Sequence, residues 1–308
     1  MRRNHIALIG VNSRIGPAIL KALLDHPLHP QIFIFLRPTS RPAPSHPRIK
    51  TVIIPSDPPT THDLTSALHE HDIEALISAL NPGERETQIR LADACVAAGV
   101  SRYIPADYGS MRSDDPYVLH LLPNFNNKRL VREHCQRLAA EHKGFTWTSL
   151  ATGHFFDYGL WTELLGINAK ECSAMLFDGG MDQWSTSTTG QIGKAVATIV
   201  LDKEEETANR MLLIQSFCVS QKEVIAMMDR VKGRQAVQGT YVESEAYIKE
   251  KAAEAKKGDA EAVEELVAVL GIKRSNWTGD ALFANELLGL EEEDLRSVVR
   301  EVLDADAE

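Results

Sequence analysis

His5-Ile6-Ala7-Leu8-Ile9-Gly10-Val11-Asn12-Ser13-Arg14-Ile15-Gly16 passes from an unbroken apolar run through a glycine into a short polar turn. Beyond it, Ile15, Ala18, Ile19, Ala22 and Leu23 recur at helical spacing, so a helix leaves the turn directly. Gln31 to Leu36 then reads as a second strand, apolar at almost every position. A strand covered on both faces has that pattern, whereas an antiparallel strand with one wet face would alternate. Strand, tight turn, helix and buried strand make a βαβ unit.

The unit repeats. Lys50–Ile54 predicts a strand, and Thr60 with Asp63 a capping pair that opens a helix through Leu68. Glu74–Ser78 is read as a strand, Glu84–Ala98 as a helix closed by Gly99, and Arg102–Ile104 as a strand. After a long loop come a helix over Phe125–Glu141 and a strand over Thr146–Leu150. Repeated βα units with short connections predict an α/β Rossmann fold, a doubly wound parallel sheet. The domain is expected over residues 1–155, with 185–215 returning to it through a helix over Gly190–Leu201 and a strand over Met211–Ile214. Residues 156–184 and 216–308 are expected to form a smaller, mostly helical substrate-binding lobe, with solvated amphipathic helices over Ala252–Val269 and Glu291–Val302.

The composition narrows the function. With 33 Lys plus Arg against 43 Asp plus Glu, the formal charge is −10, which argues against a nucleic-acid partner. No stretch is long and apolar enough for a membrane span, and the first residues carry no signal-type segment. The four cysteines form no C-x-x-C pair, so neither a disulfide framework nor a metal site is expected, and a cytoplasmic location is. His69 and His71 point to different sides of a helix and also suggest no metal. A small-molecule substrate and a monomer or homodimer remain as the expected partners.

The turn Gly10 to Gly16 occupies the first strand-to-helix junction. Backbone N–H groups at a helix N-terminus can receive a phosphate there, and glycine permits both the turn and the close approach. Gly10, Asn12, Ser13, Arg14, Ile15 and Gly16 are therefore expected to hold a dinucleotide. The second strand ends in Arg37, where a carboxylate would bind the ribose of NAD; an arginine suits the extra phosphate of NADP(H). Arg41 is a candidate assistant.

Further segments carry a family likeness. Ser78-Ala79-Leu80-Asn81, Ala97-Ala98-Gly99-Val100, the run Arg102 to Gly109, Asn127-Lys128-Arg129-Leu130-Val131-Arg132 and the run Thr148 to Gly159 together resemble the isoflavone reductase-like, NmrA-like branch of the atypical short-chain dehydrogenases. Asp178-Gly179-Gly180, Thr189 to Val196 and Asn285 to Leu290 extend the likeness along nearly the whole chain, and its details look most like fungal members. The resemblance implies an NADPH-dependent oxidoreductase in which Lys128 is catalytic and Arg132 lies near the substrate. Two positions depart from the family pattern. Ser13 replaces the middle glycine, and Pro105-Ala106-Asp107-Tyr108-Gly109 stands where Pro-Ser-Glu-Phe-Gly is common.

The residues also speak for themselves. Ligands of a doubly wound sheet bind at the carboxyl ends of its strands, so Gly10 to Gly16, Arg37, Ser78 to Pro82, the Pro105 to Pro123 loop and Thr152 to Gly159 should share one crevice. Lys128 falls in the first turn of the helix leaving that loop. Positive potential at the helix N-terminus would depress its pKa and suit it to protonate an oxyanion or to orient ribose and carbonyl. Phe155 is expected beside the cofactor, and Tyr108, His154, Phe156 and Arg132 beside the substrate. Tyr247-x-x-x-Lys251 fits the dyad of standard short-chain dehydrogenases but lies past the sheet, and is set aside as a chance match. The function expected is NADPH-dependent reduction of a small conjugated or carbonyl-bearing specialised metabolite. The alternatives are an NADP-sensing regulator without catalysis and a non-redox cyclase or isomerase.

Overall fold

The computed structural model describes residues 4–81 and 83–304, so Pro82 lies outside the described residues. The chain begins β1 (His5–Ile9), α1 (Gly16–Asp25), β2 (Gln31–Leu36), β3 (Ile49–Ile53), α2 (Thr61–Glu70), β4 (Ala75–Ser78), α3 (Arg85–Ala98) and β5 (Arg102–Ile104). It continues α4 (Pro116–Leu121), α5 (Phe125–Glu141), β6 (Thr146–Ala151), β7 (His154–Phe155), α6 (Phe156–Trp161), β8 (Ile167–Asn168), β9 (Ser173–Phe177) and β10 (Trp184–Ser187). The last elements are α7 (Thr189–Leu201), β11 (Arg210–Leu213), β12 (Phe217–Val219), α8 (Gln221–Lys232), β13 (Gln238–Val242), α9 (Ser244–Ala255), α10 (Ala260–Arg274) and α11 (Leu295–Asp304).

Two compact units divide the chain. The first comprises residues 1–107, 124–150 and 192–212, and the second residues 108–123, 151–191 and 213–308.

The first unit is built on a seven-stranded sheet in the order β11-β6-β5-β4-β1-β2-β3. The pairs linking β3 through to β6 are parallel. Strand order reverses between β1 and β4, which is the switch point of a doubly wound Rossmann sheet. β2 shows why the apolar run reads as central, for Ile32, Phe33, Ile34 and Phe35 are all at most 1% exposed. α1 buries Ile19, Leu20 and Leu23, and α3 buries Leu91, Ala92 and Cys95. Phe33, Phe35, Leu76, Leu91, Tyr103 and Trp147 meet in one core beneath the sheet. Thr60 caps α2 by accepting the Asp63 N–H at 3.1 Å, the pairing expected from the two residue types. α7 approaches α1 so closely that a Cβ on Gly193 would lie 2.4 Å from the Ala18 carbonyl oxygen.

The second unit has two three-stranded sheets, β12-β10-β7 and β13-β9-β8, among its helices. Strands of two to five residues are too short for an alternating pattern to declare itself, so these sheets were not expected. The helix predicted over Ala252–Val269 is two helices, because the chain breaks at Gly258 and the Asp259 carboxylate caps α10 by accepting from Glu261 and Ala262 N–H. α10 buries Leu266, Val269, Leu270 and Ile272 and leaves Glu261 and Glu264 exposed. The last helix starts at Leu295 rather than Glu291, since Glu293 is engaged by the hydroxyls of Thr188 and Ser216. The long loop after β5 contains α4, with Pro116 in its first turn and Asp115 accepting from Tyr117 and Val118 N–H.

Candidate active site

Gly10 leaves β1 with φ 88°, and a Cβ there would sit 2.6 Å from the Ala79 carbonyl carbon. At Gly16 a Cβ would lie 2.4 Å from the Gly10 carbonyl oxygen and 2.5 Å from that of Val11. Only glycine fits either place, so the turn is drawn as tight as the chain allows. Ser13 closes it twice over. Its N–H donates to the Gly10 carbonyl at 2.9 Å, and its hydroxyl accepts the Gly16 N–H at 3.2 Å.

Beside this turn, at the carboxyl ends of β1, β2 and β4, lies a cavity of about 440 Å³. Of the residues expected to hold a dinucleotide it is lined by Gly10, Asn12, Ser13, Arg37, Ala79, Leu80 and Asn81. Arg41 lines it too, and the Asn12 amide donates to the Arg41 carbonyl at 2.9 Å, tying the glycine turn to the loop after β2. Arg14, Ile15, Gly16 and Ser78 are not among the lining residues: Arg14 is exposed, whereas Ile15, Gly16 and Ser78 are buried in the turn, the start of α1 and β4. Sequence reasoning missed Ser40, Ile54, Pro59, Glu84 and Thr87 on the cavity wall, and it missed a carboxylate. Asp57, in the loop after β3, comes within 3.6 Å of Arg37.

At the carboxyl ends of β5 and β6, a second group of residues in the same unit surrounds Lys128. α5 buries Phe125, Lys128, Val131, Cys135 and Leu138, a stripe at three- and four-residue spacing, so the lysine lies on the face that packs inward. Its ammonium group donates to the Asp107 main-chain carbonyl at 2.7 Å and lies 3.7 Å from an Asp107 carboxylate oxygen. The Phe125 ring centroid is 4.7 Å away. The other carboxylate oxygen of Asp107 accepts from the Ser149 hydroxyl at 2.5 Å and from Arg132 at 3.3 Å. Arg132 thus joins Lys128 around one carboxylate. The Lys128 pKa is lowered, as expected, but the first cause is burial; Asp107 opposes it and Arg132 adds a smaller lowering.

In the second unit the expected substrate residues divide. Tyr108 is 8% exposed and its backbone has φ 37°, a conformation costly for a tyrosine. Phe155 is half-buried. His154 and Phe156 are both fully buried packing residues. Phe156 meets Phe217 edge to face with centroids 5.0 Å apart. His154 donates from Nε2 to the Val267 carbonyl at 3.1 Å, and burial lowers its pKa to about 4, so at neutral pH it has no imidazolium proton to give. The Tyr247 hydroxyl donates to Glu265 at 2.7 Å and Lys251 lies 2.9 Å from the same carboxylate, so that dyad joins α9 to α10.

The NmrA-like family model matches residues 2–273. The chain belongs to the NmrA-like family. Among sequence relatives, this NmrA-like chain is 28% identical to the oxidoreductase aprR of Aspergillus flavus over 229 residues, 74% of each chain. It is 32% identical to the oxidoreductase poxI of Penicillium oxalicum over 184 residues, 57% of this chain and 55% of that one. Among solved structures, AtPrR2 with NADP+ and (+)-pinoresinol superposes with a TM-score of 0.75 at 15% identity, covering 98% of this chain and 99% of that one. The leucoanthocyanidin reductase–NADPH complex of Vitis vinifera gives 0.74 at 17% identity, with 98% and 100% covered. Isoflavone reductase gives 0.72 at 18%, with 98% and 99% covered. At these identities the structural likeness establishes the shared Rossmann-type fold of the NmrA-like chain. Among the described residues, no helix is long and apolar enough to cross a membrane.

Proposed function

We propose that this NmrA-like protein is an NADPH-dependent oxidoreductase that reduces a small conjugated or carbonyl-bearing metabolite. The observation that carries the reading is a buried lysine at the carboxyl ends of β5 and β6, on the same sheet edge as a glycine-walled cavity at β1, β2 and β4. Neighbouring strands lie about 4.8 Å apart, so an extended dinucleotide seated in the cavity would cross the strand ends toward Lys128. The residues present fit such a group. Two glycines leave no room for side chains where a phosphate must meet backbone, and Arg37 and Arg41 bring positive charge to the cavity of an acidic protein. Sequence relatives named oxidoreductases and fold relatives solved with NADP+ or NADPH support the same choice.

Bound NADPH would supply the hydride. The Gly10 to Gly16 turn would receive the pyrophosphate, and Arg37 with Arg41 the extra phosphate. Lys128 would hold a proton at Nζ and pass it to the oxygen on which negative charge develops. Asp107 fixes where that proton stands. Recognition of the metabolite is assigned to Arg132, which shares Asp107 with Lys128, and to Tyr108. A cytosolic monomer or homodimer belongs to the same reading.

The experiment is NADPH oxidation by the purified chain against a panel of enones, imines and quinone methides. Turnover of at least one acceptor is expected, together with its abolition and intact NADPH binding in Lys128→Met. Tight NADPH binding with no turnover of any acceptor would overturn the reading in favour of a cofactor-sensing role.

A further inference from the structure

Lys128, Arg132 and Ser149 share a feature that the roles assigned above leave unused: all three converge on Asp107. The Asp107 side chain is 3% exposed, Lys128 is 8% exposed and Ser149 is fully buried. Two cations and a carboxylate have been taken out of water together. Such an arrangement contributes little net stability, because desolvation consumes most of the Coulomb attraction. Packing alone gives no reason to bury these groups where β5 and β6 end.

The local backbone explains how Asp107 reaches Lys128. The Asp107 N–H donates to the Pro105 carbonyl at 2.9 Å, a turn only two residues wide, and Tyr108 follows with a left-handed φ of 37°. That sharp bend after β5 leaves the Asp107 carbonyl 2.7 Å from the ammonium of α5, 21 residues later. Ser149 from β6 and Arg132 from one turn along α5 then take the far carboxylate oxygen. An ammonium group has three donors. Among the described residues Lys128 commits one at hydrogen-bond distance, while the near carboxylate oxygen stands at 3.7 Å.

We propose that Asp107 is the positioning residue of the reaction centre, holding the Lys128 ammonium by its carbonyl and its charge while Ser149 and Arg132 lock its carboxylate in place. The inference rests on the reductase reading for its effect on turnover. Its effect on Lys128 stands by itself. The charged groups that face Lys128 are Asp107, from the bend after β5, and Arg132, from its own helix; Asp107 favours the ammonium form, whereas burial and Arg132 disfavour it. Removing the negative charge therefore moves the lysine titration down. Less of the proton-bearing form survives at high pH.

The test follows Lys128 directly in the full chain, by the pH titration of its ¹³C-labelled ε-methylene resonance, assigned by its loss in Lys128→Met. Asp107→Asn keeps the main-chain carbonyl and the size but loses the charge. Its Lys128 midpoint is expected about one unit below that of the parent protein, and Asp107→Glu is expected to restore most of the shift. In NADPH turnover, the basic limb of kcat/KM moves to lower pH by the same amount in Asp107→Asn. Ser149→Ala, a milder change, is expected to lower kcat on the order of tenfold with KM for NADPH unchanged. An unmoved midpoint in folded Asp107→Asn overturns the proposal; if that variant does not fold, unchanged kcat and Lys128 resonance in Ser149→Ala overturn it instead. Should the parent protein reduce no acceptor while the midpoint still falls, the reductase reading is lost and the hold of Asp107 on Lys128 stands.

Discussion

The Arg37 guanidinium lies 3.6 Å from the Asp57 carboxylate, at the wall of the cavity that the glycine turn opens. The charge that would attract a ribose phosphate is therefore already partly neutralised. Both side chains are about half exposed, so the pair is worth roughly 1 kcal/mol or less. Asp57→Asn is expected to tighten NADPH binding by about two- to fivefold and to leave NADH binding nearly unchanged. Calorimetric titration of both nucleotides decides it. Equal gains for the two would detach Arg37 from phosphate recognition.

The turn geometry makes its own demand. A methyl group at position 16 would overlap two carbonyl oxygens of the same turn, and overpacking of this kind costs about 1–3 kcal/mol. Gly16→Ala should lower the melting temperature and weaken nucleotide binding together. A variant as stable as the parent protein and with equal affinity would show that the turn is looser than described.

Ser13 invites the opposite change. Its hydroxyl accepts the Gly16 N–H, one of the donors that the start of α1 would otherwise offer a phosphate. Ser13→Gly should free that donor, raising NADPH affinity while costing the unliganded protein only about 0.3 kcal/mol. Melting curves with and without nucleotide measure both effects at once. Weaker binding in the variant would mean that the serine itself contacts the phosphate.

His154 gives the second unit a pH dependence whose sign can be worked out. Its pKa falls from an ordinary 6.5 to about 4 in the folded chain. The unfolded state thus takes up a proton that the folded state refuses. The contribution is fully present above pH 6.5 and is lost as the pH falls toward 4, to a total of roughly 3 kcal/mol. The melting temperature of the parent protein should therefore drop more between pH 7.5 and pH 5 than that of His154→Gln. Parallel curves would show that the imidazole charges without penalty.

Tyr247→Phe separates the two readings of the Tyr-x-x-x-Lys match. Because the hydroxyl serves Glu265, its removal should cost about 1 kcal/mol of stability and leave turnover unchanged. A hundredfold loss of kcat would restore the dyad as catalytic machinery.

The first unit was largely readable from the chain because burial there is periodic and uninterrupted. β2 is apolar along its length, α1 and α3 each carry one apolar face, and Phe125–Glu141 shows the same stripe with Lys128 set in it. Asp107 stands out in the chain only as a departure from the family pattern, not as the partner of Lys128, for a different reason. Its partners lie 21, 25 and 42 residues away, on elements that only the finished sheet brings together, and no local pattern records such a meeting. Asp57 reaches Arg37 in the same long-range way. For His154 and Phe156 the chain is silent, because an aromatic run after a strand looks alike whether it lines a cleft or fills a core. What settles the matter is α10, where Gly271 leaves so little space that a Cβ would lie 2.1 Å from the imidazole ring.

The first unit is assembled from three separate stretches, and its last stretch brings Gly193 hard against the first helix. A fragment ending at Leu150 would leave that helix face bare and the sheet without its outermost strand. Chimeras between relatives must therefore exchange all three stretches as one cassette; a single crossover anywhere before Gly193 would pair an N-terminal half with a closing helix shaped for another protein.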